Sequence, residues 1–309
     1  MQIKHLQRIL RPSLINFRNS ISANFSQIQL SSEQEDAREK KRQEILARGL
    51  PKVKPIPNVK DIIMVASGKG GVGKSTTAVN LATALKTECP DKNIGLLDTD
   101  VFGPTVPQMM NLNETPLLND NNLMEPLINY GVKCMSMGFL IEETAAVIWR
   151  GLMVMQAMEK LMRQVHWGPT DVLIIDTPPG TGDTQLSIVQ NLPITGVVLV
   201  TTPQTASIQV TRRGAKMFNK LNIPIIGLVE NMSSVKCPAC RNDVQLFGNG
   251  VLELVEELDT KLLVSVPLEK EIGSCSDKGI PVTVAKPNSN EAKCYRNLAK
   301  ITNEYVSNR

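Results

Sequence analysis

Short apolar runs alternate with longer amphipathic stretches along the chain from about residue 58 onwards. Continuous apolar runs are typical of strands buried on both faces, and apolar residues three or four positions apart are typical of helices. The pattern predicts strands at 62–66, 93–98, 132–137, 172–175, 196–201, 223–229 and 262–266, and helices after residue 73 and at 147–165, 205–221, 252–258 and 291–306. This alternation predicts an α/β fold with a mostly parallel sheet and helices on both of its faces. In helix 147–165, Met153 and Met162 are assigned to the core.

The segment from Gly68 to Ser75 follows the first predicted strand and matches the phosphate-loop pattern G-x-x-x-x-G-K-[ST]. Glycines let backbone N–H groups turn towards a phosphate, and the following helix directs its N-terminal dipole at the same anion. Lys74 is expected to contact the terminal phosphates, and the Ser75 hydroxyl to bind Mg²⁺. A glycine-rich turn without a ligand is the alternative, which the flanking patterns disfavour. The predicted nucleotide-binding residues of this loop are Gly68, Lys69, Gly70, Gly71, Val72, Gly73, Lys74, Ser75 and Thr76.

Two later strands end in acidic residues. Asp98 and Asp100 follow the strand at 93–98, and Asp176 follows the strand at 172–175, before a proline-rich loop. In sheets of this kind, the carboxyl ends of the strands carry the groups that bind metal and position water. We therefore expect Asp98 and Asp176 in the nucleotide site, with Asp176 holding the Mg²⁺ hydration shell opposite Ser75. Helix capping or a turn would also explain Asp98 or Asp100.

A Cys-Pro-Ala-Cys segment contains Cys237 and Cys240 with two residues between them. Two thiolates at this spacing can bind a metal ion or cluster irons, but they supply only half of the ligands. Two copies of the chain around a two-fold axis would bring four thiolates together. A bridging [4Fe–4S] cluster, a bridging Zn²⁺, a redox dithiol and an intrachain structural pair are all compatible with the spacing. The other cysteines are expected to be structural or incidental: Cys89, Cys134, Cys275 and Cys294.

Composition limits the classes of partner. The chain has 309 residues, of which 42% are hydrophobic and 21% charged, which is typical of a globular protein. The formal net charge of +4 comes from the N-terminal 32 residues, and the remainder is balanced. A balanced body argues against a surface that coats nucleic acid. No apolar run approaches the ~18 residues of a membrane span, so we expect no stable membrane insertion.

The N-terminal region predicts a leader followed by a linker. Residues 1–32 contain four basic residues, no acidic residue and apolar positions at roughly helical spacing. These features predict a mitochondrial transit peptide, with a disordered tail as the alternative. Residues 33–57 are predicted to form a charged helix and a proline-rich linker, and residues 58–309 the folded ATPase domain with the Cys-Pro-Ala-Cys site. The six cysteines do not resemble a secreted disulfide framework, which favours a reducing compartment.

Several motifs together resemble one family. The loop K-G-G-V-G-K-S carries a second lysine, Lys69, and resembles the deviant phosphate loop of MinD/ParA/Mrp ATPases. D-T-D-V-F-G-P-T, W-R-G-L-M, D-T-P-P-G-T-G-D, V-E-N-M-S, C-P-A-C, S-V-P-L and D-K-G-I-P complete a resemblance over residues 55–305 to the Mrp/NBP family of iron–sulfur P-loop ATPases. With its transit-like leader and no cysteine before the phosphate loop, the chain is most similar to the mitochondrial NUBPL type. Leu152 departs from the proline of many relatives.

The resemblance implies roles that spacing alone does not. Lys69 would cross the interface of an ATP-sandwiched homodimer, Asp100 would orient the attacking water, and Asn231 would contact the adenine edge. Lys69, Lys74 and Asp100 are thus the implied catalytic residues of a slow ATPase. The implied cofactors are ATP, Mg²⁺ and a [4Fe–4S] cluster on Cys237 and Cys240 of both subunits. The implied role is a cluster carrier in the mitochondrial matrix that serves iron–sulfur apoproteins of respiratory complex I.

Three other functions are compatible with parts of the sequence. A MinD/ParA-like positioning ATPase would need an amphipathic C-terminal helix or a basic patch, and the C-terminal segment is only weakly apolar. A zinc-bridged ATPase chaperone would use the same cysteines. An electron-transfer ATPase of the nitrogenase iron-protein class has its ligand cysteines on separate segments, whereas here the pair is local.

Overall fold

The computed structural model describes residues 53–140, 151–180, 182–237, 239–240, 242–248 and 250–309. The predicted leader at 1–32 lies outside the described residues, and so does the predicted helical stretch that begins at residue 33. The start of the predicted helix at 147–165, including Trp149 and Arg150 of the W-R-G-L-M motif, also lies outside them.

Eight strands form one sheet, and two short strands form a separate hairpin. In chain order they are β1 (Val59–Ser67), β2 (Ile94–Asp98), β3 (Leu127–Asn129), β4 (Val132–Ser136), β5 (Thr170–Asp176), β6 (Gly196–Thr201), β7 (Ile225–Asn231), β8 (Val235–Lys236), β9 (Asp243–Val244) and β10 (Leu262–Val266). The large sheet has the order β10-β7-β6-β1-β5-β2-β4-β3. All of its pairings are parallel except that of β3 with β4, which confirms the prediction of a mostly parallel sheet.

The central strands are buried on both faces. Every residue of β2 and β6 is buried, and so is β1 from Ile62 to Ser67. Because successive side chains of a strand point to opposite faces, this pattern requires helices on both sides of the sheet, as predicted. The helices are α1 (Lys74–Glu88), α2 (Val106–Met109), α3 (Gly151–Arg163), α4 (Asp183–Asn191), α5 (Thr205–Lys220), α6 (Gly250–Glu257), α7 (Lys270–Asp277), α8 (Val282–Ala285) and α9 (Asn290–Ser307).

The strand order creates a crevice at the carboxyl end of β1. Strand β5 lies between β1 and β2, and β6 lies on the other side of β1. The chain therefore reverses direction across the sheet at β1, and ligands of open α/β sheets bind at such a point. Asp98 and Asp176 end adjacent strands and are register partners, so the two residues lie side by side at this end of the sheet.

Helix α1 is fixed by the C-terminal part of the chain. The Thr83 and Thr283 hydroxyls lie 2.7 Å apart, and the backbone N–H of Thr283 donates to Asn80 Oδ1 at 3.3 Å. Tyr295 of α9 is fully buried. Since α1 starts directly after the phosphate loop, these contacts hold the position of that loop.

Two details differ from the sequence predictions: which methionine of α3 is buried, and where the packed domain begins. Helix α3 has Val154, Met158, Leu161 and Met162 on its buried side, whereas Met153 is 44% exposed, so the core assignment of Met153 was wrong. A helix has 3.6 residues per turn, which places Met153 off the face that packs. Ile56 is buried, so packing begins slightly before residue 58.

Within the described residues, no helix combines the length and the apolar composition that a membrane-spanning helix requires.

Candidate functional site

The phosphate loop connects β1 to α1 and depends on two left-handed glycines. Gly71 has φ 77° and Gly73 has φ 87°, a region that residues with a Cβ avoid. The Ser67 hydroxyl donates to the Lys69 carbonyl at 3.0 Å and the Thr77 hydroxyl to the Gly73 carbonyl at 2.8 Å, which fixes both ends of the loop. Gly68 is needed for another reason, because a Cβ there would lie 2.6 Å from the α5 backbone.

A cavity of about 250 Å³ opens beside this loop. Its walls are formed by the phosphate loop, the segment that follows β2 and the loop that follows β5. Its lining residues are Ser67, Lys69, Gly70, Gly71, Gly73, Lys74, Ser75, Thr76, Asp100, Gly103, Thr105, Met109 and Pro179. The structure thus brings most of the predicted phosphate-loop residues and Asp100 to one cavity, whereas Gly68 and Val72 do not line it.

Lys74 and Asp176 form a buried ion pair at the base of this site. Lys74 Nζ lies 2.5 Å from Asp176 Oδ1 and 3.1 Å from the Ser75 hydroxyl, and the two paired side chains are only 6% and 0% exposed. Asp176 Oδ2 is buried and has no hydrogen-bond partner among the described residues. Burial raises the pKa of Asp176, and the Lys74 ammonium opposes this shift. A free carboxylate oxygen beside the Ser75 hydroxyl fits the expected Mg²⁺ site, where Ser75 would be a ligand and Asp176 would hold bound water.

Asp98 is fully buried and organises the backbone around the site. Its carboxylate accepts from the Asp100 N–H at 3.0 Å, the Val106 N–H at 3.3 Å and the Ser136 hydroxyl at 2.9 Å. Burial and the nearby Asp176 carboxylate raise the pKa of Asp98 to about 7. Asp98 therefore stabilises the backbone of the loop that carries Asp100. Its place in the nucleotide site stays a prediction.

The two cysteines lie at the end of a separate β-hairpin. Strands β8 and β9 pair antiparallel, and the Cys237 N–H donates to the Asn242 carbonyl at 2.9 Å. Cys240 is exposed and Cys237 is partly exposed. Hydrogen bonds from the backbone of Cys240 and Ala239 hold the pKa of the Cys237 thiol below its usual range. The hairpin thus presents two accessible thiols to solvent, and Cys237 favours the thiolate form that binds metal.

The part of the chain that the structure describes contains no cluster of three or more metal-ligating side chains. Cys134 and Cys275 are buried, and burial raises the pKa of Cys134 and of the half-buried Cys294. These environments suit structural or incidental thiols at Cys134, Cys275 and Cys294.

The family model described as "ParA: NUBPL iron-transfer P-loop NTPase" matches residues 58–302. The chain belongs to this family. It is 54% identical over 272 residues to the mouse (Mus musculus) iron-sulfur cluster transfer protein NUBPL, covering 88% of this chain and 85% of the mouse protein. It is 53% identical over 243 residues to the Arabidopsis thaliana "iron-sulfur protein required for NADH dehydrogenase, mitochondrial", covering 78% and 77% of the two chains.

A solved structure agrees with the NUBPL-family assignment. The nucleotide-binding protein of Archaeoglobus fulgidus in complex with ADP is 30% identical, with a TM-score of 0.66 over 78% of this chain and 93% of that chain. The sequence-based resemblance to iron–sulfur P-loop ATPases is confirmed, and so is the P-loop NTPase fold.

Some residues predicted for the NUBPL-family site lie behind the cavity. Val72 is 3% exposed and packs in the core. Asn231 ends β7 and donates its side-chain N–H to the Val72 carbonyl at 2.8 Å, so it supports the loop from behind. A contact between Asn231 and adenine stays a prediction. Lys69 is exposed and lines the cavity, and its role across an interface also stays a prediction.

Sequence reasoning did not name five lining residues of this site. They are Ser67, Gly103, Thr105, Met109 and Pro179. Gly103, Thr105 and Pro179 belong to motifs already recognised around the acidic strand ends, so those motifs could have indicated them. Nothing in the local pattern indicates Met109, because it reaches the cavity only through the position of the short helix α2.

Substitution of Gly73 by alanine is expected to weaken nucleotide binding by about tenfold or more and to lower the melting temperature. An alanine Cβ would lie 2.1 Å from Asn231 Nδ2, at a φ that costs about 1–2 kcal/mol for a residue with a Cβ. Fluorescent-ADP titration and thermal unfolding would measure both effects. The control is Gly273→Ala in α7, where a Cβ meets nothing within 4 Å and is expected to be neutral or stabilising. If Gly73→Ala and Gly273→Ala had the same nucleotide affinity and melting temperature, the role of Gly73 in the phosphate loop would be contradicted.

Proposed function

We propose that this protein is an ATP-dependent carrier of iron–sulfur clusters, which binds a [4Fe–4S] cluster between two subunits and delivers it to apoproteins. The proposal rests on the presence of two features in one NUBPL-family domain. These are a cavity at the phosphate loop and a hairpin with the accessible cysteines Cys237 and Cys240. The mouse relative is named an iron-sulfur cluster transfer protein, which agrees with a role in transfer.

The nucleotide site supports slow ATP hydrolysis. The loop N–H groups and Lys74 would hold the phosphates, Ser75 and Asp176 would hold Mg²⁺ and its water, and Asp100 would orient the attacking water. When bound, Mg²⁺ would neutralise charge on the phosphates. Lys74 is paired with Asp176 in this structure, so nucleotide binding would replace this contact by one between Lys74 and the phosphates. Lys69 is exposed and would reach the nucleotide of a second subunit.

The hairpin supports a shared cluster. Each chain offers two adjacent thiols, and a [4Fe–4S] cluster is held by four. A homodimer with its two-fold axis at the hairpin would therefore complete the ligand set. Exposed ligands suit a cargo that must leave, because the thiolates of a recipient protein can approach it.

The names of the relatives support a proposal for the recipients and the location. We propose that the recipients include complex I apoproteins, since the Arabidopsis relative is named for a requirement of NADH dehydrogenase and as mitochondrial. Residues 1–32 would direct the chain to the mitochondrial matrix. A fluorescent reporter fused to residues 1–40 would test this, and a diffuse cytosolic signal would exclude it.

The carrier role is tested by cluster transfer. Protein loaded anaerobically would be mixed with an apo-enzyme whose activity requires a [4Fe–4S] cluster, in the presence of an iron chelator. Acceptor activity is expected to appear while the carrier loses its cluster absorption. Failure of transfer, or zinc as the only metal bound after reconstitution, would contradict the proposal.

A further inference from the structure

Thr105 lines the nucleotide cavity. It ends the segment after β2 and precedes α2, and it lines the same cavity as Lys74, Ser75 and Asp100. Because Asp100 is expected to orient the water that attacks the last phosphate, a residue that lines the same cavity can contact that phosphate.

The Thr105 hydroxyl is not used by the fold. Threonine is favoured before a helix because its oxygen can accept from the first N–H groups, yet Thr105 makes no such bond. Asp98 Oδ2 takes that place by accepting from the Val106 N–H at 3.3 Å. Thr105 Oγ1 is buried and has no hydrogen-bond partner among the described residues. A buried hydroxyl without a partner destabilises a fold, so its presence calls for an explanation outside the folded chain.

Neighbouring hydroxyls behave differently. The Thr99 hydroxyl donates to the Asp176 carbonyl at 2.8 Å, the Ser67 hydroxyl to the Lys69 carbonyl and the Thr77 hydroxyl to the Gly73 carbonyl. Each of these stabilises backbone around the site. Thr105 lines the same site, but its hydroxyl makes no such bond among the described residues.

We propose that Thr105 is a further nucleotide-binding residue, whose hydroxyl contacts the terminal phosphate of ATP. Rotation about χ1 would bring the hydroxyl from its unpartnered position to the cavity. The phosphate loop would hold the phosphates that ADP and ATP share, and Thr105 would contact only the additional phosphate of ATP. Thr105 would thus distinguish ATP from ADP. This inference rests on the proposed binding of ATP.

The test compares Thr105→Val, which keeps the shape and removes the hydroxyl, with Thr105→Ser, which keeps the hydroxyl. Calorimetric titrations would use a non-hydrolysable ATP analogue and ADP, each with Mg²⁺. Thr105→Val is expected to bind the analogue about tenfold more weakly and ADP within about twofold of wild type, since one hydrogen bond to a charged group is lost. Thr105→Ser is expected to stay near wild type for both nucleotides.

Thermal unfolding without nucleotide separates binding from folding. Thr105→Val is expected to melt at or above the wild-type temperature, whereas the control Thr99→Val is expected to melt lower because it loses a bond to Asp176. Equal weakening of both nucleotides by Thr105→Val, unchanged binding of both, or a melting temperature lowered as in Thr99→Val would overturn the inference. Failure of the wild-type protein to bind the analogue would overturn the proposed function as well.

Discussion

Cys237→Ser protein is expected to retain less than about a tenth of the wild-type iron and sulfide after anaerobic reconstitution. The cluster would be shared by two chains, so one substitution per chain removes two of its four thiolate ligands. Serine keeps the size of the side chain, and Cys237 lies at the end of a hairpin rather than in the core, so the fold is expected to survive. Colorimetric iron and sulfide assays, with the absorption spectrum, would measure the loss. Cys240→Ser is expected to behave in the same way.

Matched controls are provided by cysteines outside the hairpin. Cys89 and Cys294 are partly exposed free thiols, and Cys294 Sγ lies 3.6 Å from the Ser265 carbonyl. Cys89→Ser and Cys294→Ser are expected to keep the wild-type iron content. If Cys237→Ser protein bound as much iron as these controls, the ligand assignment would be wrong.

Lys74→Ala is expected to weaken nucleotide binding by about tenfold or more and also to destabilise the protein without nucleotide. The lysine supplies charge-assisted bonds to phosphate, so a loss of about tenfold or more in affinity is expected. The same substitution leaves the buried Asp176 carboxylate unpaired, which costs up to about 3–5 kcal/mol of unfolding free energy. Fluorescent-nucleotide titration and urea unfolding would measure the two effects.

The pH dependence identifies the cause of this destabilisation. Burial raises the pKa of Asp176 above its ordinary 3.8, Lys74 opposes that shift, and removal of Lys74 is expected to raise the pKa further. A raised folded-state pKa gives stability that is present below the unfolded pKa and is lost as pH rises through the folded pKa. The Lys74→Ala loss is therefore expected to be larger at about pH 8 than at about pH 5.

A second substitution provides the control for this prediction. Asp176→Asn, added to Lys74→Ala, is expected to recover much of the stability and to reduce the pH dependence of the loss, without restoring nucleotide binding. A loss that is equal at both pH values, or that Asp176→Asn leaves unchanged, would show that the buried carboxylate is not its source.

The local parts of the site could be predicted from sequence because each depends on a short pattern. The phosphate loop needs glycines and a lysine within eight residues, and the cysteine pair spans four. The acidic strand ends Asp98 and Asp176 follow apolar runs, which made their place at the carboxyl edge of the sheet predictable.

Contacts between distant segments were not predictable from those patterns. Asp98 bonds to Ser136 and Val106, and Asn231 bonds to Val72, because the strand order brings these segments together. Strands β5, β2 and β4 lie on one side of β1, and β6 and β7 lie on the other, and apolar periodicity does not encode this order. For this reason the sequence indicates which acidic residues reach the site but not that Asp98 also supports the backbone.

The claim that two chains share one cluster is tested most directly by measuring mass and metal content together. Native mass spectrometry of the anaerobically reconstituted protein, with ATP and Mg²⁺, would report both quantities on the same particle. A particle with the mass of two chains and one [4Fe–4S] cluster is expected. A single chain that holds a complete cluster would contradict the claim.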